Sequence, residues 1–205
     1  MPGRLFLTSK LSRITEELGV SISGVAAFTP RHNISPGQDI LVLTSDGLTM
    51  MRWGMIPVGR VNARGRPVME TIINARSETV FDKSAFSGVR RCVVPADGWY
   101  EWTNKKRRKK PWRITAKSGG ILCFAAIFDV WSAPGGRELA QVATVTCPPS
   151  KDVEEVHDRM GVLLELDDIE SWLSGDEEAA RSLLQVWPAG RLKVGAAEDV
   201  DWSQP

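Results

Sequence analysis

Hydrophobic residues recur along this chain mainly with the two-residue spacing of β-strands, and only three segments keep the spacing of helices. The first helical segment contains Leu11, Ile14 and Leu18. Ser9 before it can act as an N-cap, and Gly19 can end the helix. Strands are predicted for residues 40–44, 48–53, 72–75, 91–95, 99–102, 112–116, 122–131, 139–146 and 161–166. The first two of these flank an Asp-Gly pair, which is typical of a hairpin turn.

Two further helices are predicted near the end of the chain, over residues 168–173 and 176–186. Residues 31–37 are interpreted as a turn with polar anchoring. Many short strands, few helices and no regular strand–helix alternation predict an α+β fold with a curled, mainly antiparallel sheet. A length of 205 residues suits one domain, which we expect to span residues 1–205.

The composition, with 42% hydrophobic and 25% charged residues, is that of a globular protein and excludes intrinsic disorder as the main description. The longest apolar stretch, residues 121–128, is far shorter than the ~18 residues of a membrane helix, and no signal-peptide pattern opens the chain. We therefore expect a cytoplasmic protein that does not bind membranes. Cys92, Cys123 and Cys147 lie in apolar surroundings without C-x-x-C spacing, which predicts buried thiols. No metal site and no cofactor are predicted.

The formal net charge of +1 conceals an uneven distribution of charged residues. Residues 151–205 carry 5 basic and 14 acidic residues, whereas residues 1–150 carry 21 basic and 11 acidic. Six consecutive basic residues, 105–110, follow closely after Trp102. Aromatic side chains beside cations are typical of surfaces that stack bases and neutralise phosphates. A solvated hairpin tip between Trp102 and Trp112 explains the same run, so both interpretations stay open.

Two polar segments and one histidine carry the candidate chemistry. Residues 74–79 place an amide, a guanidinium and a carboxylate close together after a short apolar strand. In residues 95–102 aromatics alternate with carboxylates, and two-residue spacing puts Trp99 and Glu101 on one face, where desolvation raises the pKa of a carboxyl group. His157 is flanked by a carboxylate and a guanidinium. It can act as an acid or base near neutral pH, or serve only as a structural hydrogen-bonding residue.

Several motifs follow one another in a recognisable order. They are residues 3–4, 31–36, 53–57, 74–79, 94–102 and 157–160. Together they resemble the SOS-response-associated peptidase (SRAP) family, whose members process abasic sites in single-stranded DNA. The resemblance implies a single α+β domain with a barrel-like sheet and a positively charged groove for single-stranded DNA. It also implies four catalytic positions, which are a cysteine at position 2 and the residues that match Asn74, Glu101 and His157.

Position 2 departs from the family pattern because it holds Pro2. The family cysteine uses its amine and thiol together to close a thiazolidine on the aldehyde of an abasic sugar, and proline has no thiol. Removal of Met1 would leave a secondary amine, which can form an iminium with the aldehyde and permit β-elimination. In this hypothesis Glu101 protonates the sugar ring oxygen, His157 shuttles protons, and Asn74 orients the sugar or the N-terminus.

The resemblance also implies contacts with DNA. The expected contacts are phosphates at Arg4, Arg76 and Arg159, and bases at Pro36 and Trp102. A second departure concerns an aromatic residue that family members commonly carry shortly after the Ile-Pro of the 53–57 motif. Residues 58–59 are Val-Gly here, which predicts the loss of one stacking contact, and the three arginines within residues 60–69 can compensate.

Two functions of different classes remain open at this point. Retention of Asn74, Glu101 and His157 favours an enzyme that processes abasic sites, with lyase chemistry through Pro2. Loss of the cysteine favours a non-catalytic protein that binds single-stranded DNA with the same fold. The peptidase (hydrolase) activity in the family name would be limited to removal of Met1. In either case we expect a monomer whose partner is single-stranded DNA, especially at abasic sites, without a cofactor.

Overall fold

The computed structural model describes residues 2–22, 25, 28–57, 64, 71–103, 110–132 and 135–204. The strands among these residues are β1 (Leu5–Leu7), β2 (Arg31–Ile34), β3 (Asp39–Thr44), β4 (Gly47–Trp53), β5 (Asn74–Arg76), β6 (Arg90–Ala96), β7 (Gly98–Thr103), β8 (Lys110–Ala116), β9 (Leu122–Ser132), β10 (Glu138–Cys147), β11 (Met160–Gly161), β12 (Leu163–Leu164) and β13 (Leu192–Ala196). The helices are α1 (Leu11–Leu18), α2 (Ile169–Ser174) and α3 (Glu177–Ser182). Strands dominate the fold, as predicted.

The larger sheet closes on itself into a ring of five strands. Its order is β10-β4-β3-β6-β9, and β9 pairs again with β10 to complete the circle. The pairs are antiparallel except that β10 runs parallel to β4 and to β5. Strands β11 and β12 extend this sheet beyond the ring. The predicted α+β fold with a curled, mainly antiparallel sheet is confirmed.

A second, five-stranded sheet has the order β13-β8-β7-β1-β2 and is antiparallel throughout. It contains β1 and β7, which place the first residues of the chain beside the 95–102 motif. The two sheets share one core, whose largest fully buried side chains include Trp53, Trp99, Trp172 and Phe124. Burial of such rings supplies much of the driving force for folding.

The first helix illustrates one confirmed and one wrong local prediction. Gly19 ends α1 in the left-handed conformation with φ 65°, as its position predicted. Ser9 is not the N-cap, because the capping position is Lys10 and no side chain caps the helix. The Ser9 hydroxyl instead donates to the carboxylate of Asp97 at 2.6 Å.

Helices α2 and α3 pack beside the larger sheet, and α3 is shorter than predicted. The indole N–H of Trp172 on α2 donates to the carbonyl of Cys92 on β6 at 2.8 Å, which fixes α2 to the sheet. Asp176 caps α3 by accepting a hydrogen bond from the Ala179 N–H. The helix ends at Ser182 rather than Val186, so the last predicted turn does not form.

Three other segments also differ from the prediction. Residues 31–34 form strand β2 and not a turn, because they pair with β1. The single strand predicted over 161–166 is two short strands, since β11 pairs with β10 whereas β12 pairs with β9. Strand β13 was not predicted. Residues 104–109, which include most of the basic run, lie outside the described residues, as do residues 58–60.

The three cysteines are free, buried thiols, as predicted. Cys123 and Cys147 have pKa values raised by burial, to about 12 and about 11. No helix in the described part of the chain has the length and apolar character needed to cross a membrane.

Candidate active site at the amino end of the chain

Strand β7 carries a buried carboxyl group. Trp99 packs edge-on against Phe124 in the core, with ring centroids 5.6 Å apart, and Glu101 follows on the same face of the strand. Glu101 is only 3% exposed, and burial raises its pKa from 4.5 to about 7. The predicted elevation of this pKa is confirmed.

The first residues of the chain run alongside this strand. Strand β1 is antiparallel to β7, and the carbonyl of Arg4 accepts a hydrogen bond from the Tyr100 backbone N–H at 3.0 Å. Continued by one residue, this register sets Gly3 opposite Glu101. The amino end of the chain therefore lies beside the buried carboxyl group.

Pro2 is buried and held by two neighbouring strands. The side-chain amide of Asn74 on β5 donates to the Pro2 carbonyl oxygen at 3.0 Å. On β11, a Cβ at Gly161 would lie 3.6 Å from the Pro2 ring and 2.3 Å from the ring of Phe124. Glycine at this position leaves the space that both rings occupy.

The orientation of the Asn74 amide is fixed by a residue that sequence reasoning missed. Strands β5 and β10 pair in parallel with Asn74 opposite Thr144. The Thr144 hydroxyl donates to the Asn74 side-chain oxygen, so the amide nitrogen must face Pro2. Upstream, the indole N–H of Trp53 donates to the Ile73 carbonyl at 3.1 Å and anchors the start of β5.

His157 lies in the turn that precedes β11 and has two contacts at the same ring nitrogen. Its Nδ1 accepts the backbone N–H of Arg159 at 3.0 Å and lies 2.8 Å from a carboxylate oxygen of Asp158. The first contact suits the neutral ring and the second the protonated ring. Burial is the largest cause of a lowered pKa, and the Asp158 carboxylate acts in the opposite direction.

The same positive charge affects the pKa values of Glu101 and His157. The charge of the amino terminus lowers the pKa of both groups, and the charge of Asp158 acts on both in the opposite direction. Asn74 is bonded to Pro2 in the same neighbourhood. The structure thus brings an amide, a carboxyl group and an imidazole together around the amino end of the chain.

Arg159, an expected phosphate contact, is engaged within the protein. Its guanidinium forms a two-pronged ion pair with Glu78 and donates to the Thr146 carbonyl at 2.6 Å. Hydrogen bonding from Arg159 lowers the pKa of Glu78 to about 2. Arg76 is exposed on β5 and, two residues after Asn74, lies on the same face of that strand.

The other expected DNA contacts lie on the second sheet and its neighbouring turn. Arg4 donates to the Asn33 side-chain oxygen at 2.8 Å. Trp102 lies on the face of β7 opposite Glu101 and contacts Trp202, with ring centroids 5.1 Å apart. Pro36 is half-buried in the turn between β2 and β3. Trp202 was not among the residues that the sequence predicted to contact DNA.

The second carboxylate of the 95–102 motif has a structural role. Asp97 accepts four hydrogen bonds, from the backbone N–H groups and hydroxyls of Thr8 and Ser9, at 2.6 to 2.8 Å. Burial acts to raise the pKa of Asp97, but the four hydrogen bonds together outweigh burial and hold the pKa below its ordinary value. The structure therefore separates the two carboxylates by role, since Glu101 is buried at the amino end and Asp97 joins β1 to β7.

The comparison with known families agrees with these observations. The family described as SOS response associated peptidase (SRAP) matches residues 1–199. The chain belongs to the SRAP family. This confirms the resemblance inferred from the motifs.

Proteins from a bacterium and from a mammal are similar to this chain. Abasic site processing protein YoqW of Bacillus subtilis is 33% identical over 206 residues, which cover 95% of this chain and 91% of YoqW. Abasic site processing protein HMCES of Mus musculus is 29% identical, covering 78% of this chain and 57% of HMCES. A crystal structure of a protein from Bacteroides thetaiotaomicron superposes with a TM-score of 0.84 at 21% identity, covering 96% of this chain and 92% of that one, and supports the shared fold.

Proposed function

We propose that this SRAP protein processes abasic sites in single-stranded DNA, and that it does so as a monomer through the amine of Pro2. The observation that carries the proposal is the meeting of Asn74, Glu101 and His157 around the amino end of the chain. Similar proteins that bear the name abasic site processing protein support the choice of substrate.

Pro2 supplies the nucleophile once Met1 has been removed. Its secondary amine attacks the aldehyde carbon of the ring-opened sugar, and loss of the resulting hydroxyl as water leaves an iminium. The iminium draws electrons from the neighbouring carbon, which loses a proton as the bond to the 3′ phosphate oxygen breaks. Water then hydrolyses the iminium and frees the protein. Because Pro2 has no thiol, the thiazolidine of the family cysteine cannot form.

Glu101 acts as the acid that favours the open aldehyde. With a pKa of about 7, a substantial fraction of the carboxyl groups holds a proton at neutral pH. A proton donated to the sugar ring oxygen assists cleavage of the ring bond. An ordinary carboxyl group with a pKa of 4.5 would be almost entirely ionised at that pH and could not serve in this way.

His157 moves protons during condensation and elimination. Its lowered pKa keeps the ring neutral near pH 7, in which state it can accept a proton. In the neutral ring, Nδ1 accepts the hydrogen bond from the Arg159 backbone N–H. In the protonated ring, Nδ1 can donate to the Asp158 carboxylate, so each protonation state has a partner. Asn74 donates a hydrogen bond to the Pro2 carbonyl. This bond orients Pro2 and therefore the secondary amine that Pro2 exposes once Met1 is removed.

Borohydride trapping tests this proposal. The protein is mixed with a single-stranded oligonucleotide that carries one abasic site, with or without borohydride, and a denaturing gel is examined for a slow band. A band seen only with reductant establishes an iminium, and its mass after digestion should place the DNA on Pro2. Mass spectrometry of the intact protein reports in parallel whether Met1 is absent.

The second candidate function is binding without chemistry, favoured by the missing thiol at position 2. It predicts no band in either lane although the oligonucleotide is bound normally. A matched oligonucleotide with an intact base separates recognition of the lesion from general affinity for single strands. Absence of binding to both oligonucleotides would contradict both candidate functions.

A further inference from the structure

Two partly exposed tryptophan rings form a pair near the end of β7, the central strand of the second sheet. Trp102 comes from β7, whereas Trp202 comes from the C-terminal segment, defined here as residues 197–204. Their ring centroids lie 5.1 Å apart with an interplanar angle of 52°. Trp202 lies beyond residues 1–199, over which the SRAP family matches, so family membership says nothing of its role.

Trp202 is held in place from several directions. Tyr100 packs edge-on against its ring, with centroids 5.0 Å apart. The side-chain nitrogen of Asn33 donates to the backbone carbonyls of Trp202 and Gln204 at 3.0 and 2.9 Å, and Arg4 in turn donates to the Asn33 oxygen. A ring fixed in this way loses little conformational entropy when a ligand stacks on it.

The start of the C-terminal segment is also anchored. Ala197 is fully buried, and its backbone N–H donates to the Pro111 carbonyl at 3.2 Å. Asp199 forms an ion pair with Arg113 on β8 at 3.1 Å. With contacts at both ends, the segment is an integral part of this surface.

The tryptophan pair adjoins the candidate active site along β7. Trp102 directly follows Glu101 but lies on the opposite face of β7, one residue before the strand ends at Thr103. The carbonyl of Arg4 accepts the Tyr100 N–H, so the first residues of the chain run beside this end of β7. A single strand that passes around the end of β7 from an abasic sugar at Pro2 would bring the neighbouring base to the tryptophan pair. The abasic position offers no base of its own to stack, so its neighbours must supply that contact.

We propose that Trp202 is a DNA-contacting residue and that Trp102 and Trp202 together stack a base next to the lesion. This inference rests on the proposed function, since it takes the single-stranded DNA of that proposal as its ligand. Stacking on an aromatic ring tolerates any base, because every base has a π-face. Glu198, Asp199 and Asp201 make the segment acidic, so it contributes stacking and no phosphate contact.

The test measures binding of a labelled, undamaged single-stranded oligonucleotide by fluorescence anisotropy over a series of salt concentrations. Trp202→Ala should weaken binding roughly 5- to 150-fold, Trp202→Leu should do the same while retaining apolar packing, and Trp202→Phe should retain most of the affinity. The slope of log affinity against log salt should not change, because no phosphate contact is lost. Trp187→Ala, at a half-buried tryptophan beside Arg191, serves as the matched control.

The possible outcomes separate this inference from the proposed function. If the wild-type protein binds the oligonucleotide and both Trp202→Leu and Trp202→Phe bind it with wild-type affinity, the role of Trp202 is overturned and the proposed function is not. Tighter binding by Trp202→Ala would also overturn it, because the segment would then cover the DNA surface. A wild-type protein that does not bind the oligonucleotide would overturn the proposed function and this inference together. Melting temperatures of all variants exclude unfolding as the cause of weaker binding.

Discussion

The side-chain amide of Asn74 donates a hydrogen bond to the backbone carbonyl of Pro2, 72 residues earlier in the chain, at 3.0 Å. The parallel pairing of β5 with β10 makes this contact possible, because it sets Thr144 opposite Asn74 and lets the Thr144 hydroxyl fix the amide orientation. The first residues of the chain are thus held by an internal strand.

Replacing Asn74 by aspartate should slow capture of the abasic aldehyde. The carboxylate has the same shape but cannot donate to the Pro2 carbonyl, and loss of one such hydrogen bond of about 1.4 kcal/mol corresponds to about tenfold. The rate of borohydride-trapped product in single-turnover reactions is the measurement. Thr144→Ser, which retains the hydroxyl, is the control and should react at the wild-type rate. Equal rates for Asn74→Asp and wild type would rule out a positioning role for Asn74.

Pro2→Cys should convert transient capture into a stable cross-link. The thiol and amine would be placed together beside Asn74, Glu101 and His157, so the aldehyde could close a thiazolidine that survives a denaturing gel without borohydride. Pro2→Ala, which restores a primary amine but no thiol, is the control and should need the reductant. If Pro2→Cys also gave a band only with borohydride, the remaining site residues would not support the family chemistry.

Glu101→Gln should stabilise the fold at alkaline pH. Because the folded state raises the pKa from 4.5 to about 7, it binds this proton more tightly than the unfolded state, and stability declines as pH rises between these values. At pH 8 the raised pKa of Glu101 lowers the free energy of unfolding by about 3 kcal/mol. Urea unfolding should therefore show the variant and wild type equal near pH 4 and the variant more stable at pH 8. Glu154→Gln, which removes the same charge at an exposed position, is the control.

The same substitution tests the catalytic role of Glu101. Trapping by wild type should fall as pH rises through 7, because the acid form is lost, whereas Glu101→Gln should be slow at every pH. Binding to undamaged single strands should be nearly unchanged in the variant. Equal loss of trapping and of binding would indicate a structural role only.

Glu78→Gln should release Arg159 for DNA. Glu78 is about half exposed, so its ion pair contributes about 0.5–1 kcal/mol of stability, present above pH 4.5 and lost as pH falls toward 2. We expect that loss of stability at pH 7, together with roughly two- to fivefold tighter binding to single-stranded DNA. Glu170→Gln on α2 removes the same charge away from the site and should change neither quantity. Weaker binding by Glu78→Gln would mean that Arg159 needs its carboxylate partner to be positioned.

Local patterns predicted most elements because their causes lie within a few residues. The hairpin of β3 and β4 follows from alternating residues around Asp46 and Gly47, and α1 ends at Gly19 as its spacing indicates. Strand β2 was interpreted as a turn because its polar residues show no strand pattern. Its pairing with β1 supplies the hydrogen bonds that local sequence could not predict.

The candidate site was predicted by motif, and its supporting residues were not. Asn74, Glu101 and His157 stand out in their motifs, and β7 alternation explains why Glu101 is buried. Thr144 and Trp202 have no distinctive neighbours in sequence. Arg159 was identified from its motif, but the sequence did not predict its ion pair with Glu78, which reduces its availability to phosphate.

The sequence by itself determined the strand-rich α+β class, the SRAP family and the presence of proline at position 2, because these depend on local periodicity and on residue identity. Only the tertiary structure decided which distant residues meet at the candidate site and how burial changes the pKa of Glu101. Closure of β9 onto β10 and pairing of β1 with β7 bring residues far apart in the chain to the amino end. The pKa of Glu101 follows from that burial, since desolvation depends on every surrounding element and not on adjacent residues alone.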